Sequence, residues 1–134
     1  MIGFAAIGTS ASASATDDDS CHRIGGGDVS NLQLKPQEAN LNPPGISVLL
    51  GGTAQQAAAD WRTVFAKPGA SAKASTVGTA DIGDIRKLGF DVILAPTPSF
   101  PNHGRLIHPT EGAAGFTAEN LRELSQLFTD TTGL

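Results

Sequence analysis

The chain has 134 residues, with 9 Lys and Arg against 13 Asp and Glu for a net charge of −4, one cysteine and no tyrosine. That length supports one hydrophobic core, made mostly of aliphatic side chains since aromatics are only 5% of the chain. The acidic balance argues against a nucleic-acid partner, which calls for a basic field, and a lone Cys21 excludes an intrachain disulfide or a thiolate metal cluster, leaving a cytoplasmic setting as the default.

Residues 2–8 are apolar, but they are too few for a membrane span and lack the basic start of a signal peptide. Residues 10–19, a Ser/Ala alternation followed by Asp17-Asp18-Asp19, bury too little to offset the entropy of ordering them. Residues 1–20 are therefore expected to be a disordered leader and 21–134 a single α/β domain. Cys21-His22-Arg23-Ile24 reads as a short strand stopped by Gly25-Gly26-Gly27. Residues 29–37 are ambiguous: Leu32 and Leu34 suit a strand, and Lys35 before Pro36 discourages helix there. Asn42-Pro43-Pro44-Gly45 is a turn.

Residues 46–50 predict a buried strand ended by Gly51-Gly52. Thr53 and Gln56 then form a capping box that opens a helix to about residue 66. Ala57, Ala58, Trp61, Val64 and Phe65 recur along it as one buried stripe. After Pro68-Gly69, residues 74–77 predict a strand. Asp81 opens a second helix with Ile82, Ile85 and Leu88 inward, Arg86 and Lys87 at its C-terminal end, and Gly89 closing it. A strand over 90–95 and a short antiparallel one over 105–108 follow, with the prolines at 96, 98 and 101 between them. Thr117 caps a last helix to about residue 128, and the polar tail 130–134 is expected to fray. Strand, helix, strand, helix, strand over 46–95 is the pattern of right-handed crossovers. The fold class expected is therefore α/β, a single small domain with a mixed, partly parallel sheet flanked by about three helices, with α+β as the alternative.

Histidine is the side chain best suited to moving a proton near neutral pH. This chain's three lie in two arginine-containing stretches, His22-Arg23 and His103-Gly104-Arg105-Leu106-Ile107-His108. In a regular strand Arg105 and His108 point to opposite faces, whereas His103 can share the face of Arg105. His103 with Arg105 is the expected working pair, and His108 is the more structural of the cluster, though retained as a ligand contact. Glu111 is the nearest carboxylate and the other candidate acid or base; the plain reading is a solvated charge. Gly51-Gly52 ahead of a helix could expose backbone N–H groups to an anion, although many such turns are only turns. Gly25-Gly26-Gly27-Asp28 has neither the GxGxxG nor the P-loop spacing, and Ser47 lacks the GxSxG elbow and reads as a packed hydroxyl. The histidine spacing fits no standard zinc motif, so no metal is expected.

Four runs, Asn42-Pro43-Pro44-Gly45-Ile46-Ser47-Val48-Leu49, Asp84-Ile85-Arg86-Lys87-Leu88-Gly89-Phe90-Asp91-Val92, Phe100-Pro101-Asn102-His103-Gly104-Arg105-Leu106-Ile107-His108-Pro109 and Gly115-Phe116-Thr117, resemble small bacterial domains. Such domains stand alone or end secreted, polymorphic toxin-like proteins. That resemblance implies a toxin-like effector, acting in the cytoplasm or delivered by secretion, with a cognate immunity or antitoxin protein as a partner. Arg23, Gly45-Ile46-Ser47 and Glu111 also resemble the arginine, serine and glutamate of ADP-ribosyltransferase toxins, with no tyrosine to stack on a nicotinamide.

Together these point to a domain binding a phosphorylated or nucleotide ligand, with NAD as the candidate cofactor and no membrane partner. Arg23 and Arg105 would hold the anion, His22, Gly51, Gly52 and His108 would contact the ligand, and His103 or Glu111 would move a proton. The alternatives are a metal-independent ribonuclease using His103 and His108, and a non-catalytic interaction module built on the proline-stiffened loop 96–101.

Overall fold

The computed structural model describes residues 13–134. Six strands, β1 (Ser20–Ile24), β2 (Gly45–Leu50), β3 (Val77–Asp81), β4 (Asp91–Leu94), β5 (His103–Ile107) and β6 (Thr129–Thr131), form one sheet in the order β4-β5-β2-β1-β3-β6. Every neighbouring pair is antiparallel, which corrects the partly parallel sheet expected from sequence. The pairings do send β2, β3 and β4 in the same direction, as helical crossovers require. None of the three touches another: β5 separates β4 from β2, and β1 separates β2 from β3. The intervening strands come from outside the 46–95 window, so the window's own periodicity carries no trace of them.

Strand alternation sends side chains to two apolar layers. On one face Cys21, Ile46, Val48, Leu50, Ala80, Val92 and Leu106 pack with Leu32 of α1 (Val29–Leu32), Ile82 and Ile85 of α5 (Ile82–Lys87), and Leu121 and Leu124 of α6 (Ala118–Ser125). On the other, Ile24, Leu49 and Val77 meet Ala54, Ala57 and Ala58 of α3 (Ala54–Val64), with Ala74 and Phe100. Three alanines let α3 lie close on the sheet. Two short helices, α2 (Pro36–Ala39) and α4 (Pro68–Ala72), complete the chain's helical turns along with 3₁₀ turns at Lys73–Ser75 and Gly112–Gly115. The ambiguous stretch 29–37 is thus helical at both ends, in pieces too short for a 3.6-residue period to declare itself.

The caps follow the sequence. The Thr53 hydroxyl accepts from the Gln56 N–H while the Gln56 side chain accepts from the Thr53 N–H, and Thr117 accepts from the Asn120 N–H. Gly89, just past α5, has φ +101°, a conformation that only glycine adopts without strain.

Of the expected leader, residues 1–12 lie outside the described residues, and residues 13–19 pack on the fold. Ala15 N–H donates to Val92 O at 3.0 Å and Leu94 N–H to Ala13 O at 2.7 Å, adding a short antiparallel pairing outside β4. Ala15 is buried, and Arg86 donates to its carbonyl and to the carboxylates of Asp17 and Asp91. The C-terminal tail, expected to fray, instead forms β6. Asp130 Oδ1 accepts from Gly27 N–H at 2.8 Å, and the Leu134 carbonyl accepts from Arg62 Nη2 at 2.9 Å. Among the described residues no helix is long and apolar enough to cross a membrane.

Candidate functional site

β1 pairs with β3 along its whole length but with β2 only at Cys21–Leu50 and His22–Leu49. Beyond His22 the two strands part. Gly25 and Gly26, both at positive φ, then turn the chain away. The gap opens into a cavity of about 330 Å³. Ser47 shows the consequence: in the middle of a central strand, where a packed hydroxyl was expected, it is exposed into this opening.

Arg23 fills part of the gap. Its Nε donates to Asn31 O at 2.9 Å and its Nη1 to Ser47 O at 2.8 Å, the latter a strand carbonyl left free where β1 and β2 separate. The residue is 7% exposed, and among the described residues no carboxylate lies within ion-pair distance of it. Burial pulls its pKa down, opposed by Glu38, yet a guanidinium stays charged at any physiological pH. Its Nη2 makes no hydrogen bond to described residues. Arg23 itself lines the cavity. Burying an uncompensated charge costs several kcal/mol, and two bonds to neutral carbonyls, about 1.5–3 kcal/mol each, offset only part of it.

Lys35, Lys73 and Glu38 stand around the same cavity. The Lys73 pKa is lowered, first by partial desolvation and then by repulsion from Lys35 and Arg23, with Glu38 opposing. Three cations face one carboxylate, a local surplus of positive charge on a chain of net charge −4.

The same cavity is also lined by aromatic rings. Trp61 and Phe65, on the last turn of α3 and just past it, lie with ring centroids 4.3 Å apart, and Phe100 stacks 6.1 Å from Trp61 and 6.0 Å from Phe65. The Trp61 indole N–H donates to Ala70 O at 2.8 Å, which locks the ring. Phe65 is 39% exposed and Val64 lies open, so the predicted stripe of α3 is buried through its alanines while its end forms a wall of the cavity. His103 sits beside Phe100, with its ring Nδ1 2.7 Å from Ala95 O. A carbonyl only accepts, so Nδ1 carries the proton and Nε2 of the neutral ring is left as an acceptor without a partner among the described residues.

His22 is 1% exposed, and its hydrogen bonds are spent internally. Nε2 faces the carbonyls of Gly51 and Gly52 at 3.1 and 3.2 Å and must be the donor, so Nδ1 accepts from the Thr79 hydroxyl at 2.9 Å. Burial lowers its pKa against those carbonyls, which favours the neutral ring. Gly51 and Gly52 therefore present carbonyls to His22, while the Gly51 N–H donates to Ser20 O.

The structure thus brings Arg23 and His103 to one cavity, with His22 lining its wall. Arg105, His108 and Glu111 are not among its lining residues. Arg105 Nη1 donates to Pro43 O at 3.1 Å. His108 packs edge-on against Phe90 and accepts the Glu111 backbone N–H at its Nδ1, and Glu111 is exposed. Lys35, Glu38, Trp61, Phe65, Lys73 and Phe100 were not singled out as site residues. The one local signal was an aromatic pair four residues apart closing an alanine-faced helix. Among the described residues no group of three or more His, Cys, Asp or Glu side chains is gathered as metal ligands would be. No protein-family model, curated protein or solved structure matches the chain.

Proposed function

We propose that this domain binds a small phosphorylated ligand in the cavity between β1 and β2. Arg23 carries the reading: a cavity-lining guanidinium buried without an ion-pair partner among the described residues, braced by two backbone carbonyls and with Nη2 making no hydrogen bond to those residues, is a cation prepared for an anion that is not part of the chain. Lys35 and Lys73 add charge around the same cavity, and the surplus of three cations over one carboxylate matches a phosphate monoester dianion. A volume near 330 Å³ suits a small ligand at the low end of the range for small-molecule sites, and favours a mononucleotide-sized compound over a dinucleotide such as NAD. His103 is the group positioned to exchange a proton with whatever is bound; Glu111 and His108 are elsewhere, which leaves the two-histidine ribonuclease reading without its second member. The toxin-like setting rests on the resemblance alone.

Trp61 is the chain's only tryptophan and lines the cavity, so its fluorescence reports occupancy. Titration with ribose 5-phosphate is expected to give a saturable change that ribose does not give. A Lys35→Met/Lys73→Met double variant is expected to weaken binding at least tenfold. Equal responses to ribose and ribose 5-phosphate, or none to either, would overturn the proposal.

A further inference from the structure

The cavity is lined by two chemically distinct groups of side chains, one cationic and one aromatic, and on the reading above phosphate uses only the cationic one. We infer that the aromatic side chains take a nucleobase, so that the ligand is a nucleoside monophosphate, and that His103 is the residue that selects it by accepting a hydrogen bond from an N–H on the base. This rests on the phosphate reading and adds what the other half of the site recognises.

Three observations carry it. The rings of Trp61, Phe65 and Phe100 are inclined to one another by only 20–37° and stack among themselves, so they form an aromatic wall that a further flat ring can extend. That wall is set before any ligand arrives, because Trp61 is tied to Ala70 O and Phe100 is held in its turn by Thr97, whose hydroxyl accepts the Phe100 N–H at 3.0 Å. Preorganised rings lose little entropy on binding. His103, three residues after Phe100, is fixed as the tautomer with a bare Nε2 by its bond to Ala95 O. A sugar phosphate would leave the rings wetted and Nε2 unused, whereas a base carrying an amino or imino N–H satisfies both. The charged cluster of Arg23, Lys35, Lys73 and Glu38 and the group of Trp61, Phe65, Phe100 and His103 then correspond to the two ends of a mononucleotide.

The test is a ligand series on the intact protein, read by calorimetry and by Trp61 fluorescence at fixed salt: ribose 5-phosphate, purine riboside 5′-monophosphate, whose base has no N–H donor, and AMP, whose base has an amino group. Affinity is expected to rise at each step, about tenfold from the sugar phosphate to the stacking base and several-fold more to AMP. In His103→Phe the AMP preference over purine riboside 5′-monophosphate is expected to collapse to about one, and in His103→Gln, which restores an acceptor, to return in part. Should ribose 5-phosphate bind as tightly as AMP, the base-binding inference fails and the phosphate reading stands. If base-bearing phosphates bind better but the AMP preference survives in His103→Phe, the role given to His103 is overturned. Should no phosphate in the series bind, both readings fall together. The series on the unaltered protein decides the base question even if a His103 variant does not fold.

Discussion

The two halves of β1 solve opposite problems with adjacent residues. At Cys21 and His22 the strand is paired on both sides, the thiol is fully buried with its pKa pushed up to about 12, and the imidazole is enclosed, neutral and satisfied by Thr79, Gly51 and Gly52. At Arg23 and Ile24 the pairing with β2 has stopped, and a permanent cation occupies the gap with one edge unused. A buried polar group whose hydrogen bonds all end inside the protein is part of the scaffold. One with an open edge and an uncompensated charge is part of a site. By that measure His22, although it lines the cavity, belongs to the scaffold, and Arg23 belongs to the proposed site.

The sharpest way to break this contrast is Arg23→Met, which keeps apolar bulk but orphans the Asn31 and Ser47 carbonyls. Relief from burying the charge opposes that loss, so a net destabilisation of about 2 kcal/mol by urea unfolding is expected, together with loss of ribose 5-phosphate binding. Unchanged stability would mean that Arg23 does not hold the parted strands.

A smaller effect is expected at the closed end. The folded-state pKa of His22 lies below its ordinary 6.5, so the unfolded chain binds more protons between the two values. Stability should therefore fall as pH drops through about 6.5 and go on falling to the folded-state value. His22→Gln, which can still donate and accept, should lose this portion of the pH dependence while folding at neutral pH. An identical acid slope in both proteins would contradict the neutral, buried assignment.

The smallest change concerns the thiol. Cys21 is fully buried and stays protonated, so a thiol reagent should label the native protein only through unfolding, at a rate that climbs with urea. Rapid labelling without denaturant would place the opening between β1 and β2 further along the strands than the pairing indicates.

Much of the local structure was legible. The Thr53–Gln56 capping box, the Thr117 cap, the glycine at position 89, the strand after Pro44-Gly45 and the antiparallel return of β5 on β4 all appear where their residues placed them. Each depends on contacts between residues close in the chain, or on an alternation a few residues long. Arg23 and His103 drew notice in the sequence because histidine and arginine fall together in two stretches, and both line one cavity, although Arg105, the expected partner of His103, does not. Their companions were not legible. Lys35 and Lys73 are ordinary surface residues by sequence, and Trp61, Phe65 and Phe100 look like core.

The amino-acid sequence by itself determined the starts of α3, α5 and α6, the turn at Pro43-Pro44 and the shared direction of β2, β3 and β4, since these follow from propensity, capping and period. Tertiary structure alone decided that β1 and β5 slide between those strands, that β1 leaves β2 after two pairs, and that cations from the start of α2, β1 and the turn after α4 meet aromatic rings from the end of α3 and the β4–β5 loop. Strand neighbours are chosen by long-range burial and loop closure, which no local window contains.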